Sequence, residues 1–278
     1  MVKVLAQTSI SFDVPGRTLH APLVEARIAG TATRMILDSG STSHALTLEL
    51  AKRCGVPVQP GEPGQDHAGA PVPSWQVGEV ALEIERMRLR LSDVVAIGAP
   101  GPFEGWGIGG FLSPQSLHPT AFAVVDLGGN QLQLVDAGVA AMDEWLRAQF
   151  PNLQLLRLGR EPGEVVEVLA AISPFEPVVT MLNTGGRTTE FEAASVPGLH
   201  GSRPDEPGRG VSGSDVDGEA VPGQTLVVAG ARFAVPNLLV RAAMPYPPGM
   251  VGMDILLGTV LVVSAVPERP IYWLVPIT

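Results

Sequence analysis

The chain has 278 residues, of which 45% are hydrophobic and 17% are charged, with 32 glycines and 26 prolines. This composition is typical of globular proteins, since glycine and proline together stay below the share at which low complexity is expected. The net charge of −10 has the wrong sign for a protein that binds nucleic acid through its phosphates. Because the many glycines and prolines form turns, we predict a mostly β protein with many short strands separated by turns. Because of its negative charge, we predict no nucleic-acid partner.

The single cysteine, Cys54, rules out an internal disulfide and agrees with a reducing compartment. Residues 1–13 contain no apolar run of signal-peptide length, and no stretch approaches the ~20 apolar residues that span a bilayer. These features favour a cytoplasmic protein with no membrane partner. The five histidines lack the short spacings of zinc sites, so we expect no metal and no cofactor.

Apolar runs of strand length recur between turn clusters along the whole chain. The predicted strands are residues 19–28, 34–37, 75–82, 87–97, 121–125, 131–135, 164–171, 178–182, 224–228, 232–240, 260–264 and 271–275.

Helical patterns are few, and the predicted helices are residues 47–54, 113–118 and 140–150. The last of these separates two β-rich halves. We therefore predict an N-terminal lobe at residues 1–136, a linker helix at 137–152 and a C-terminal lobe at 153–278.

The two halves repeat their motifs in the same order. Residues 35–42, MILDSGST, align with residues 180–187, TMLNTGGR, at an offset of 145. The run WGIGGFL at residues 106–112 corresponds to the run MVGMDIL at 250–256, with Gly109 matched to Gly252 at an offset of 143. Two apolar strands follow in each half. The shared order and the nearly constant spacing indicate one unit used twice.

The first repeated motif has a physical logic. An apolar strand ends in a carboxylate or an amide, Asp38 or Asn183, and a hydroxyl residue and a glycine follow. Glycine permits a tight turn, and the hydroxyl of Ser39 or Thr184 can hold that turn by a hydrogen bond. Two such units facing each other would bring the polar tips together on a pseudo-twofold axis.

At these motifs the sequence resembles the retropepsin-like aspartic peptidases, with two such lobes fused in one chain. The Leu-Asp-Ser-Gly-Ser-Thr run at 37–42, the helix-like segment 46–54, the glycine-containing segment 65–73 and the Ile-Gly-Gly-Phe-Leu run at 108–112 occur in the family's order. The resemblance implies a bilobal fold of two β-barrel-like lobes with few short helices. It also implies a monomer that takes a peptide or a small apolar substrate in the cleft between the lobes.

The resemblance further implies a site. Asp38 and Asn183 would form the catalytic pair, and hairpins at residues 65–73 and 208–218 would be flaps that cover the substrate. The residues expected to bind substrate lie in the two turns and around the first flap. They are Ser39, Gly40, Ser41, Thr184, Gly185, Gly186, Arg187, His67 and Trp75.

Three of these residues have two interpretations each. Arg187 either recognises a substrate carboxylate or is solvated. His67 either contacts substrate or is a solvated flap residue. Trp75 either closes over the substrate or packs at the base of the hairpin.

The chain departs from the family at residue 183, where asparagine stands in place of the second catalytic aspartate. The family's two carboxylates share one proton, so that one activates water while the other protonates the oxygen of the scissile carbonyl. An amide neither gains nor loses that proton. We therefore expect peptide hydrolysis to be severely weakened.

Four functions remain open from the sequence. The chain is an endopeptidase altered at one position, or an enzyme that uses Asp38 as a lone acid/base to isomerise, dehydrate or cyclise a small apolar molecule. Otherwise it is a non-catalytic peptide-binding or regulatory module, or its second half is only a structural lobe. The glycine pattern at 105–110 follows a proline and glycine turn rather than a strand, so dinucleotide binding is not expected.

Overall fold

The structure is a computed structural model that describes residues 1–85, 87–98, 102–161, 165–204, 208–245 and 247–277. The chain is mostly β with few short helices, which confirms the predicted fold class. The sheets are consistent with the predicted two-lobed arrangement.

The strands of the first half are β1 (Lys3–Ser9), β2 (Ser11–Val14), β3 (Arg17–Ile28), β4 (Thr31–Leu37), β5 (His44–Thr47), β6 (Val58–Pro60), β7 (Gly64–Gln65), β8 (Pro71–Val72), β9 (Ser74–Val77), β10 (Val80–Ile84), β11 (Met87–Leu91), β12 (Val94–Ile97), β13 (Ile108–Leu112), β14 (Phe122–Asp126) and β15 (Gln131–Asp136). The strands of the second half are β16 (Leu153–Leu158), β17 (Glu167–Ile172), β18 (Val178–Leu182), β19 (Glu190–Glu192), β20 (Glu219–Val228), β21 (Ala231–Arg241), β22 (Gly249–Val251), β23 (Val260–Ser264) and β24 (Ile271–Pro276). The helices are α1 (Leu48–Arg53), α2 (Pro102–Gly105), α3 (Val139–Gln149) and α4 (Met253–Leu256), with single 3₁₀ turns at Pro114–Ser116 and Ala193–Ser195.

The predicted helices lie where the sequence patterns place them, although the segment 113–118 forms only a 3₁₀ turn. Helix α1 begins after Thr47, whose hydroxyl accepts the N–H of Leu50 at 3.2 Å, as an N-cap does. The predicted strand at 87–97 divides into β11 and β12, because Asp93 between them has a φ of 54° and interrupts the extended backbone. The predicted strand at 164–171 begins outside the described residues, and β17 starts at Glu167.

A six-stranded sheet joins the two halves in the order β1-β15-β14-β23-β24-β16. Its central strands, β14 and β23, pair antiparallel with Val124 opposite Val262, so each half contributes three strands in mirrored order. Met142 and Leu146 of α3 are buried against one face of this sheet, and the other face joins the main core. The segment predicted to be a linker is therefore packed structure.

The other large sheets belong to one half each. In the first half the strand order is β11-β10-β3-β4-β13-β5-β12-β9-β6, and in the second half β17-β18-β22-β19-β21-β20 form a closed barrel. Strand β4 lies between β3 and β13, and β18 lies between β17 and β22. The turns that carry Asp38 and Asn183 therefore leave equivalent, interior strands.

The second repeated motif needs a correction in register. Gly110 pairs with Met35 and Gly249 pairs with Thr180, so Gly110 and Gly249 are equivalent at an offset of 139, rather than Gly109 and Gly252. The chain between the two motifs is six residues shorter in the second half, which an alignment without gaps cannot show. Gly110 has a φ of 145° and lies directly against the Ala45 carbonyl, so only glycine fits there.

Candidate functional site

Asp38 and Asn183 occupy equivalent positions, each as the first residue after a buried strand. The backbone N–H of Asp38 donates to the carbonyl of Leu112 at 2.9 Å, and that of Asn183 donates to the carbonyl of Val251 at 2.9 Å. The parallel neighbouring strand thus fixes the start of each turn. The backbone geometry of the two turns is matched on both sides of the boundary between the halves.

The two turns hold each other through their hydroxyl residues. The Thr184 hydroxyl accepts the N–H of Ser39 at 3.0 Å and donates to the Leu37 carbonyl at 2.6 Å. The Ser39 hydroxyl accepts the N–H of Thr184 at 3.0 Å and donates to the Leu182 carbonyl at 2.5 Å. Both residues are fully buried. This burial favours a positioning role for Ser39 and Thr184 over the substrate contact that the sequence predicts.

The glycines of the two turns bring Asp38 and Asn183 side by side. A Cβ atom added to Gly185 would lie 2.5 Å from Cγ of Asp38, and one added to Gly40 would lie 2.5 Å from Cγ of Asn183. Each polar side chain therefore rests on the glycine of the opposite turn. The predicted convergence of the two polar tips is present in the structure.

Asp38 and Asn183 differ in what their side chains can do. Burial raises the pKa of Asp38 to about 6, against the lowering effects of the Gly40 N–H and of the nearby His67 charge. The Gly40 N–H donates to Asp38 Oδ1 at 2.9 Å. Asn183 Oδ1 accepts the N–H groups of Gly185 and Gly186 at 2.8 and 3.1 Å. The site therefore contains one carboxyl group that titrates near neutrality beside an amide that does not titrate.

The first flap, β7 and β8 with the turn between them, reaches across to the second half. Asp66 in this turn is 5% exposed, and its carboxylate accepts the N–H groups of Ala68 and Ala70 at 3.0 and 2.9 Å. It also accepts the N–H of Ser212 in the second half at 2.9 Å and lies directly against Gly210. Burial opposes ionisation, but these hydrogen bonds leave the pKa of Asp66 below its ordinary value.

Residues 208–218, the predicted second flap, form a short hairpin. Arg209 and Asp215 form an antiparallel bridge, and the N–H of Val216 donates to the carbonyl of Gly208 at 2.8 Å. The tip of this hairpin carries Ser212, so the two hairpins contact each other at their tips.

His67 lies next to Asp66 and contacts a buried ion pair of the second half. Its Nε2 atom is 3.0 Å from Glu190 Oε1, and Glu190 Oε2 is 3.2 Å from Arg241 Nη1. Arg241 also donates to the His67 carbonyl at 2.9 Å. The side chains of Glu190 and Arg241 are each 5% exposed. Neither residue was predicted from the sequence; Arg241 ends the apolar run at residues 238–240, which is a usable signal of a paired charge, whereas Glu190 lies in a strand that holds a second glutamate.

The remaining predicted residues lie around the two turns and the flap base. The Ser41 hydroxyl donates to the Ser43 carbonyl at 2.7 Å within its own turn. Arg187 is exposed, and after burial its positive charge is the largest influence that lowers the pKa of His20. Trp75 on β9 is partly buried against the main core, as expected for the base of the hairpin. The substrate contacts of these residues remain predictions.

The part of the chain that the structure describes holds neither a candidate metal centre nor a helix that could span a membrane. No cluster of three His, Cys, Asp or Glu side chains with metal-binding geometry occurs among these residues. None of the helices there is both long enough and apolar enough to cross a bilayer.

Residues 24–134 match the family model described as an aspartyl protease. The match extends from β3 to β15, includes Asp38 and the first flap, and covers less than half of the chain. No curated protein matches the chain. The first half is therefore similar to retropepsin-like aspartyl proteases, which supports a peptidase-fold hydrolase.

Proposed function

We propose that this chain is an aspartic-peptidase-fold hydrolase of the endopeptidase class with two lobes, residues 1–136 and 153–278, joined by residues 137–152. Its centre lies at the boundary between the lobes. Asp38 is the acid/base group, and Asn183 occupies the place of a second catalytic carboxylate. Peptide hydrolysis is weakened by that amide, and the substrate is a peptide or a small apolar molecule in the cleft.

The observation that carries this proposal is the reciprocal arrangement of the two turns. Ser39 and Thr184 exchange hydrogen bonds, and the side chains of Asp38 and Asn183 rest on each other's glycines. A pair of side chains placed in this symmetric way suits a reaction in which two groups act on one water and one carbonyl. The match of residues 24–134 to aspartyl proteases supports the same reaction class.

The impairment follows from proton chemistry. Two neighbouring carboxyl groups hold one proton between them, since both cannot ionise at short distance. With Asn183 in one position, that shared proton and its transfer to the carbonyl oxygen are absent from the pair. General acid/base transfer contributes ~10²–10⁴-fold to a rate, so the loss from this substitution is of that order.

The test restores the second carboxylate. Asn183→Asp should increase cleavage of an unstructured peptide library by about 10²-fold or more at acidic to neutral pH. The double variant Asp38→Asn with Asn183→Asp is the matched control, because it moves the single carboxylate to the other turn and should remain as slow as the unaltered protein. A folded Asn183→Asp protein that cleaves no faster than the unaltered chain would contradict the proposal.

A second function is favoured by the pKa of Asp38 at about 6. A carboxyl group with that pKa exchanges protons near neutral pH, which suits isomerisation, dehydration or cyclisation of a small apolar molecule. In that case the unaltered protein turns over a small molecule and Asp38→Asn stops the turnover. Peptide binding that is unchanged by Asp38→Asn would instead indicate a non-catalytic peptide-binding module.

A further inference from the structure

We propose that His67 is the second acid/base group of this centre, acting across the cleft from Asp38 in place of a carboxylate at residue 183. This inference rests on the proposed hydrolase function. It gives the flap histidine a chemical role in the slow reaction of the unaltered chain.

The flap that carries His67 is fixed to the second half by contacts of two consecutive residues, Asp66 and His67. The preceding Asp66 carboxylate accepts the Ser212 N–H at 2.9 Å. The carbonyl of His67 itself accepts a hydrogen bond from Arg241 at 2.9 Å. A flap tip held by buried groups at two consecutive residues gives the imidazole a defined position, which acid/base transfer requires.

The imidazole ring lies against the carboxylate of Glu190. Nε2 is buried and lies 3.0 Å from Glu190 Oε1, although it lacks the alignment of a hydrogen bond. The side chain of His67 is 24% exposed, so its accessible part lies away from Nε2. Glu190 is held in turn by Arg241 at 3.2 Å. A carboxylate close to one side of an imidazole, with the rest of the ring accessible, is a recurring environment of a histidine that transfers protons.

The ring lies on the Asn183 side of the centre. Glu190 and Met250 are directly paired across β19 and β22, so their side chains lie on the same face of the barrel. The sulfur of Met250 is 3.2 Å from Nδ2 of Asn183. Met250 therefore links the carboxylate that His67 contacts to the amide of Asn183.

The charged groups around His67 are consistent with its proposed role as the second acid/base group. Glu190 and Arg241 form a buried pair on the side of Nε2. The positive charge of His67 lowers the pKa of Asp38, so the two groups interact electrostatically. Asp66, on the same flap, is committed to the N–H groups of Ala68, Ala70 and Ser212.

The reaction balances with these two groups. Ionised Asp38 takes a proton from water as the water oxygen bonds to the carbonyl carbon of the substrate. Protonated His67 gives a proton to the amide nitrogen as the carbon–nitrogen bond breaks. The products are a carboxylic acid and an amine. Asp38 is then protonated and His67 neutral, and proton exchange with solvent restores both.

The test compares the loss of His67 in two backgrounds. His67→Gln should reduce peptide hydrolysis by the unaltered chain by about 10²-fold, because its acid is gone. In the Asn183→Asp background the same change should cost only a few-fold, because the carboxyl group introduced at residue 183 then supplies the second group. His200→Gln is the matched control, since His200 also faces a carboxylate, Glu219 at 3.8 Å, but is exposed and lies outside this cluster.

Two activity results would overturn the assignment while leaving the hydrolase function intact. One is an equal loss in both backgrounds, which would mean that His67 only holds the flap. The other is an active Asn183→Asp variant beside an unaltered chain with no hydrolysis at all.

A second measurement is independent of activity. Carbon-13 NMR titration of the Asp38 carboxyl should give a higher pKa in His67→Gln than in the unaltered chain, and an unchanged pKa in His200→Gln. An Asp38 pKa that does not respond to His67→Gln would overturn the assignment even if Asn183→Asp cleaves peptides. A failed Asn183→Asp variant would instead contradict the proposed function itself.

Discussion

The buried hydroxyls of Ser39 and Thr184 each form hydrogen bonds with the backbone of the other residue's turn. Each hydroxyl accepts the partner's N–H and donates to the carbonyl of the last residue in the partner's strand. Since these atoms are fully buried, water cannot replace the bonds. The pair therefore couples the two halves at the point where Asp38 and Asn183 meet.

Removing either hydroxyl should destabilise the protein. Ser39→Ala and Thr184→Ala each leave a buried N–H and a buried carbonyl without this partner, at a cost of about 1–3 kcal/mol in the free energy of unfolding. A double-mutant cycle in urea should give a coupling energy of about 0.5–3 kcal/mol. Ser41→Ala is the control, since its hydroxyl bonds only within its own turn and should change stability little. Additive single losses would show that the two hydroxyls act independently.

Replacing Asp38 should make stability less dependent on pH. The pKa of Asp38 is about 6 in the folded protein, above the 3.8 of an unperturbed group. The folded state thus binds the proton more tightly, so stability is lost as pH rises from 3.8 to about 6, where Asp38 ionises in the folded protein. Asp38→Asn should therefore raise the free energy of unfolding at pH 8 by up to about 3 kcal/mol.

The same comparison at low pH supplies the internal control. Below pH 3.8 Asp38 is protonated in both states, so the advantage of Asp38→Asn should vanish there. Urea unfolding of both proteins between pH 3.5 and 8 would measure this; a constant difference across the range would contradict the raised pKa.

His44 should give the opposite pH dependence. It is 2% exposed, its Nδ1 accepts the N–H of Ser113 at 3.2 Å, and burial lowers its pKa to about 4. The unfolded chain therefore takes up this proton first, and stability is lost as pH falls from 6.5 towards 4. The full effect is about 3 kcal/mol.

Unfolding of His44→Gln across the same pH range tests this contribution. Whatever its stability at pH 8, the variant should lose less unfolding free energy than the unaltered protein as pH falls from 6.5 towards 4. His200→Gln, at an exposed position, should keep the pH dependence of the unaltered protein. An identical pH slope in His44→Gln and the unaltered chain would refute the assignment.

Asp66 should control the opening of the first flap. Asp66→Ala removes the acceptor for the N–H groups of Ala68, Ala70 and Ser212. Hydrogen exchange of residues 64–72 should accelerate by about tenfold or more, which corresponds to the loss of roughly 1.4 kcal/mol of local stability. Asp217→Ala is the control, at an exposed acidic residue nearby. Unchanged exchange in Asp66→Ala would mean that the flap is held by other contacts.

Much of the fold could be predicted because periodicity and turn residues are local signals. The continuous apolar runs of β14, β23 and β24 and the alternating run of β15 give clear strands, and Thr47 marks the start of α1. The three-residue strands β19 and β22 were missed, since so short a run has no readable period. The register of Gly110 and Gly249 was misjudged for a different reason: it depends on strand pairing across a long loop, which no local pattern records.

The sequence by itself determined the mostly β composition, the repeated turn and the chemical inequality of Asp38 and Asn183, because these are properties of residue order. Only the tertiary structure decided that Ser39 and Thr184 interlock, that Asp38 titrates near pH 6 and that His67 meets Glu190 and Arg241. Burial and contacts between residues more than a hundred positions apart set those properties, and both exist only once the two halves have packed together.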